Sequence, residues 1–380
     1  MNTMVYILLI AWIAIAILNT LSAWRYTWGL PLTEIPGCLL RRLRHQAYPD
    51  YRIIAAIESE EDPAFAMVTE ESKRPGAPIR TVVAGHSERT GQKVWNLLAA
   101  VDAIEIRDEI VAFVDADTLP TPEWLPRLVA ALVNTGREAV TGYRWIIPAD
   151  NRVSSAVVAA ANASVVTSPR IPSITNHCWG GTMAVRRKTL ERIDIRRYWA
   201  GAISDDAQMT LAFKEAGYPV FSPRQSLLLS PVAMSLSEAL SFGRRQYRIM
   251  WMHGPGMWAL AALGTIFPIA AAVAALSMAL QGSVVAIGLL GASLLFGEVR
   301  YHCRRRIVVA LWGEAAGRAM YWRVERWLRP IWWSFHALCV FSALGSRHIC
   351  WAGIDYWIRG PQDVEVSRPP PAKPSASGRR

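Results

Sequence analysis

The sequence predicts an α/β domain with a largely parallel sheet, joined to transmembrane and interfacial α-helices. Three observations predict it. Strand-like runs alternate with helical stretches between residues 51 and 231. Long apolar segments stand on both sides of that region. The chain is 52% apolar with mean hydropathy +0.18, yet its 19% of charged residues is too many for a chain lying wholly in a bilayer.

Taken in order, residues 4–21 (MVYILLIAWIAIAILNTL) are apolar apart from Asn19 and Thr20, long enough to cross a bilayer. The rival reading is a cleaved signal peptide, processed at Leu21-Ser22-Ala23. No positive charge precedes the run, whereas Arg25, Arg41, Arg42 and Arg44 follow it. This favours a retained transmembrane anchor over residues 1–24, its C-terminal side in the cytoplasm. Strands are expected at 52–57, 79–84, 110–114, 139–143 and 220–222, and helices at 124–134 and 208–216, in a catalytic domain spanning residues 50–235. Gly217 ends the last helix and Tyr218-Pro219 turns into a strand.

Residues 236–256 are rich in Arg and aromatics and are expected to lie at the membrane interface. Residues 257–346 read as transmembrane and amphipathic helices. Residues 258–280 are a spanning candidate with Pro268 as a kink; 283–296 and 330–344 are shorter, and either span with snorkelling flanks or stay interfacial. Between them, residues 299–329 mix Arg with Trp312, Trp322 and Trp327, as in a helix among headgroups. Many of the 17 tryptophans fall in this last third, which suits an aromatic belt. Residues 347–380 form a C-terminal segment whose tail, SRPPPAKPSASGRR from Ser367, has the composition of disorder.

A net charge of +11 and a pI of about 9.7 are compatible with nucleic-acid binding. However, the Arg clusters (41–44, 304–306) adjoin apolar segments, which fits anionic headgroups, and no nucleic-acid reading module accompanies them. The five cysteines, Cys38, Cys178, Cys303, Cys339 and Cys350, are scattered and form no CxxC pair. A disulfide framework and a zinc site are both disfavoured, and a reducing compartment fits.

The chemistry concentrates at the ends of elements. In EIVAFVDADTLPTPEWL the apolar run 110–114 ends in Asp115 and Asp117, where α/β sheets bind ligands. Residues two apart in an extended segment point the same way, so both carboxylates are expected to face one hard cation, Mg²⁺ or Mn²⁺, completed by substrate phosphates. Aspartates at a strand end also serve as ordinary turn residues, so other parts must accompany them. AAIESEEDPAF is a second strand-to-acidic turn, with Asp62 before Pro63. TGQKVWNLLAA offers Lys93 and Asn96 to a phosphate or ribose. CWGGTMAVRRKTL carries Gly180-Gly181, where backbone can approach a sugar. In GAISDDAQMTLAFKEAGYPV, Asp205 and Asp206 open a helix, as caps or as a base for an acceptor hydroxyl. In FGRRQYRIMW, Arg245 and Arg248 lie three apart, share a helix face and can neutralise a leaving diphosphate.

This ordered set resembles the membrane-bound family 2 glycosyltransferases, and most of all their ceramide glucosyltransferase type, family 21. The resemblance implies a GT-A (Rossmann-like) fold, a UDP-sugar donor, a divalent cation and inverting transfer of a single hexose onto a lipid hydroxyl. It places Asp62 near the uridine, Asp117 on the metal, Asp115 on donor sugar or metal, and Asp206 as base. Arg245 and Arg248 match the family's (Q/R)xxR, and WAGIDYWIRGP is similar to its WxGxxY-like ending. Two departures stand out: Ile249 replaces the Trp of (Q/R)xxRW, and Asp205-Asp206 replaces Glu-Asp. Loss of that Trp disfavours polymerisation. The expected partners are a UDP-sugar, a membrane lipid acceptor and the bilayer, in a bacterial inner membrane with the catalytic domain cytoplasmic. A processive polysaccharide synthase and a non-enzymatic membrane scaffold are the alternatives.

Overall fold

The computed structural model describes residues 3–27, 39–169, 176–314 and 317–368. Cys38 and most of the expected disordered tail, residues 369–380, lie outside them. The chain opens with α1 (Thr3–Arg25) and α2 (Leu39–Arg44). The α/β region then runs β1 (Ile53–Ile57), α3 (Pro63–Ser72), β2 (Ile79–Val83), α4 (Gln92–Asp102), β3 (Ile110–Val114), α5 (Trp124–Thr135), β4 (Ala139–Thr141) and β5 (Tyr143–Pro148). It continues through α6 (Val153–Val166), β6 (Thr182–Arg186), α7 (Arg187–Arg192), α8 (Ile195–Trp199), α9 (Asp205–Glu215) and β7 (Leu227–Val232).

Local chemistry sets several of these boundaries. Asp62 accepts a hydrogen bond from the Ala64 amide and Pro63 occupies the first turn of α3, a pairing that satisfies one orphan amide and pre-sets the helical φ. α5 stops on Gly136 at φ 62°. Ser204 caps α9 by accepting from the Ala207 amide.

The strands of this region form separate small sheets, two parallel and one antiparallel, and this corrects the expectation of a largely parallel sheet. β1 pairs with β2 and β5 with β7 in parallel, but β6 runs antiparallel between β3 and β4. Residues 139–143, expected as one strand, are two, broken at Gly142. A Cβ there would run into the Ser226 carbonyl. Residues 220–222 contribute only a bridge from Phe221 to Val140, and the strand proper follows as β7.

The remaining helices are α10 (Leu236–His253), α11 (Pro255–Leu280), α12 (Val284–Trp312), α13 (Ala319–Trp327) and α14 (Arg329–Phe341). α10 starts on a reciprocal capping box between Ser235 and Glu238. Among the described residues, three helices are long and apolar enough to cross a membrane: Met4–Arg25, Pro255–Leu280 and Val284–Trp312. The third corrects the sequence reading, which ended the apolar run at Phe296. α12 continues through Arg300 and Arg304 because protein groups receive both: Arg300 bonds the Ala16 carbonyl and Thr20 at 3.1 Å, and Arg304 pairs with Glu325 at 2.5 Å. α14, at 13 residues, is too short for a span on its own.

The C-terminal segment is not merely a tail. β8 (His348–Trp351), β9 (Ile354–Gly360) and β10 (Asp363–Ser367) form an antiparallel sheet whose Ile349, Tyr356, Ile358 and Val364 pack on Ile203.

Candidate active site

The turn after β3 is held from several sides. The Asp115 amide donates to Gly181 O, Thr118 Oγ1 to Asp115 O, Ser230 Oγ to Asp117 O, and the Leu119 amide to Leu229 O. Residues 116 and 117 form a turn, so the alternation of an extended strand does not extend to them. The two carboxylates take different partners. Asp115 Oδ1 meets Lys93 Nζ at 2.7 Å, whereas Asp117 Oδ2 meets Arg144 Nη2 at 2.8 Å. Each carboxylate thus has a basic partner where the sequence reading expected a shared cation.

Around Lys93 four elements converge. Its ammonium, from the first turn of α4, also meets Asp205 Oδ1 at 3.1 Å, from the N-terminus of α9. Gly180 and Gly181 form the wall between them. A Cβ at Gly180 would overlap the Asp205 carboxylate, and one at Gly181 would press on that of Asp115. Only glycine leaves these carboxylates where they are.

The electrostatics follow from this packing. Burial works against the charge on Lys93, but Asp205, Asp115 and Asp206 outweigh it and raise its pKa. Burial pushes the Asp205 carboxyl up to about 6; Lys93 opposes that rise, while Asp206 and Asp115 add to it. Asp206 is more open than its neighbour and accepts from Ser204 Oγ and, at 2.8 Å, from the Ala207 amide. With all groups ionised, Lys93 stands against Asp115, Asp205 and Asp206, leaving this floor net negative.

The other expected residues are distributed differently. Asn96 accepts from Gln92 Nε2 at 2.7 Å, in a network with Gly85 O and Arg368. Asp62 caps α3. Arg245 joins the site through aromatic contacts, its guanidinium 4.7 Å from the Trp351 ring and 5.6 Å from Phe242. Arg248 does not join it. Its side chain donates to the backbone carbonyls of His348 and Ala343, because the C-terminal sheet sits against that face of α10.

Among the described residues no group of three or more His, Cys, Asp or Glu is placed to hold a metal ion. The donor set fits a cation anchored by one carboxylate rather than clasped by two. Asp117 is 56% exposed and engages Arg144 through Oδ2, leaving Oδ1 outside that pair. One such carboxylate plus substrate phosphates is a usual Mg²⁺ arrangement.

The model of Glycosyl transferase family 21 matches residues 40–362. The chain belongs to this family.

No curated protein matches it. Three solved structures are similar at low identity. One is a mycobacterial protein, 16% identical over 61% of this chain and 77% of that one, with TM-score 0.35. The second is glucosyl-3-phosphoglycerate synthase from Mycobacterium tuberculosis, 16% identical over 59% and 88%, TM-score 0.31. The third is TarS 1–349 of S. aureus, 11% identical over 87% and 95%, TM-score 0.36.

As a member of family 21 the chain is a glycosyltransferase, with a GT-A catalytic region and membrane-associated helices. Sequence reasoning missed two contributors to this transferase's site. Arg144 lies on β5, one residue beyond the strand expected at 139–143. The C-terminal sheet reaches the site at several points: Tyr356 Oη accepts from the Gln92 amide, Gln208 Nε2 donates to Pro361 O, and Arg368 pairs with Glu58. The only signal for it in the sequence is the WAGIDYWIRGP run.

Proposed function

We propose that this transferase moves a single hexose from a UDP-sugar to a lipid hydroxyl with inversion, at the cytoplasmic face of a bacterial inner membrane. The observation that carries the reading is the convergence of Lys93, Asp115 and Asp205 on the Gly180-Gly181 wall, with Asp206 beside them. Bare backbone at the two glycines lets a sugar ring lie close to the carboxylates. Asp206 takes the proton of the attacking hydroxyl, work that contributes roughly 10²–10⁴-fold. Lys93 fixes the positions of Asp115 and Asp205, and Asp205 sets the charge beside the base. The uridine lies toward Asp62 and Asn96, and Arg245 faces the diphosphate. A divalent cation, Mg²⁺ or Mn²⁺, would be held by Asp117 with Asp115 as neighbour, and when bound supplies neutralisation of phosphate charge. The spanning helices support a lipid acceptor, because they keep the site at a bilayer surface.

The test is direct. Membranes carrying the protein are incubated with a panel of labelled UDP-sugars, and lipid products are identified by mass spectrometry. One UDP-hexose should label one lipid class with a single sugar. Asp206→Asn should abolish the product while leaving UDP binding by calorimetry nearly intact; an undiminished rate in that variant removes Asp206 as the base.

A further inference from the structure

Arg144 poses a question that its ion pair does not answer. All six residues of β5 are buried, and a guanidinium on such a strand is costly unless its donors are used. Arg144 spends Nη2 on Asp117, but its Nε is buried with no hydrogen-bond partner. Arg245 Nε is in the same condition. The two guanidinium groups flank one ring, standing 5.7 and 5.6 Å from the centroid of Phe242, and Trp351 covers Arg245. Between them they have one half-exposed carboxylate, Asp117, so the pair carries net positive charge. Burial and the charge of Arg144 bring the Arg245 pKa down to about 10, with Asp117 opposing, as expected of cations incompletely countered.

Other buried arginines of this chain differ. Arg44 donates to the carbonyls of Ala77, Glu71, Arg74 and Gly76. Arg304 has Glu325 and Thr167. Arg248 has two backbone carbonyls. Arg368 also leaves its Nε without a partner, but its other two nitrogens hold Glu58 and Gln92; the Arg144–Arg245 pair shares a single carboxylate and sits beside the Asp115–Asp117 turn.

We propose that Arg144 and Arg245 form the seat for the donor's diphosphate, with Arg144 contacting it directly and Arg248 acting as a strut for the C-terminal sheet. A diphosphate offers several oxygens to two planar forks, the geometry guanidinium groups match best. Phe242 and Trp351 hold the forks without competing for their donors. An anion on Arg144 also competes with Asp117 for it, leaving the Asp117 carboxylate to a cation arriving with the phosphates. The identity of the anion rests on the nucleotide-sugar reading above; the seat itself does not.

The experiment separates the two. Inorganic pyrophosphate, UDP and uridine are titrated by calorimetry into the full-length protein in detergent, as wild type, Arg144→Met, Arg245→Met and Arg144→Lys, with thermal unfolding as a check on folding. Pyrophosphate and UDP should each lose about 10- to 100-fold in affinity in either Met variant, as for loss of a charge-assisted donor, with uridine binding unchanged. Arg144→Lys, which keeps the charge but not the fork, should lose less. Should the Met variants fail to fold, Arg144→Lys decides, a loss of about fivefold or more in pyrophosphate affinity supporting the seat. Pyrophosphate binding equally to the wild type and the folded variants, or not binding the wild type, overturns the proposal. Pyrophosphate binding that weakens in the variants, with UDP no tighter and uridine not bound, keeps the seat and removes the uridine-nucleotide donor.

Discussion

Asp205 is held at a cost. Its folded pKa of about 6 lies above the 3.8 of a free side chain, so the folded protein grips the proton more tightly than the unfolded chain. The sign follows: stability from this group is fully present below about pH 4 and is lost as pH rises through about 6. Activity should move the other way. Protonated Asp205 releases Lys93 from one partner and removes a negative charge beside Asp206, the base proposed above, so transfer should fall as pH drops through about 6. Rate–pH profiles check this, and Asp205→Asn should flatten the thermal-stability profile between about pH 4 and 6. At this scale the sequence was informative where residues stand at element ends. Lys93, Asp115, Gly180, Gly181 and Asp205 were all legible, because a strand end or a helix start is where polar groups gather. Arg144 was not, because the expected strand stopped at residue 143 and its partner Asp117 comes from another element. Arg248 was misleading. Helical spacing puts it on a face with Arg245, yet cannot show that the carbonyls of Ala343 and, in β8, His348 take up its donors.

Among the elements, those with clear periodicity and caps were legible: β3 matches the expected 110–114, and α5 and α9 begin and end near their expected bounds. Hydropathy failed on α12 because arginines with protein partners look, in sequence, like the end of a span. Composition failed on the C-terminal sheet because short strands beside a Pro-rich tail carry little pattern. That sheet docks where the loop before α9 allows no side chain: Gly201 sits at φ 73°, and a Cβ there would strike the Gln362 carbonyl. Gly201→Ala should therefore cost about 1–3 kcal/mol in thermal unfolding. It should also lower transfer, since the same loop leads into Asp205. A variant as stable and active as wild type would detach the C-terminal sheet from the site's support.

At the scale of the whole molecule, one apolar core joins the α/β region to the membrane helices. α6, with Ala156, Ala159, Ala160, Ala163 and Val166 at or near zero exposure, shares it with Trp145 and Ile147 of β5, Ile307, Val308 and Leu311 of α12, Tyr321 and Val324 of α13, and Trp332 of α14. The Arg304–Glu325 pair lies in the same region, both side chains almost wholly buried. Breaking a buried pair from one side leaves the other charge unmatched, so Arg304→Met should destabilise by about 3–5 kcal/mol. Replacing both, Arg304→Met with Glu325→Leu, should recover most of that loss in thermal unfolding. A sequence cannot announce such a joint, since an alanine-rich helix looks the same whether it faces lipid or protein.

The joint also has a geometric corollary. A transferase whose α/β region shares one apolar interior with helices long and apolar enough to cross a membrane holds its cleft at one height relative to those helices. For the lipid acceptor proposed above, selection then works like a height gauge. What matters is how far the reactive hydroxyl projects above the glycerol or sphingoid level, while the length of the tails below is invisible.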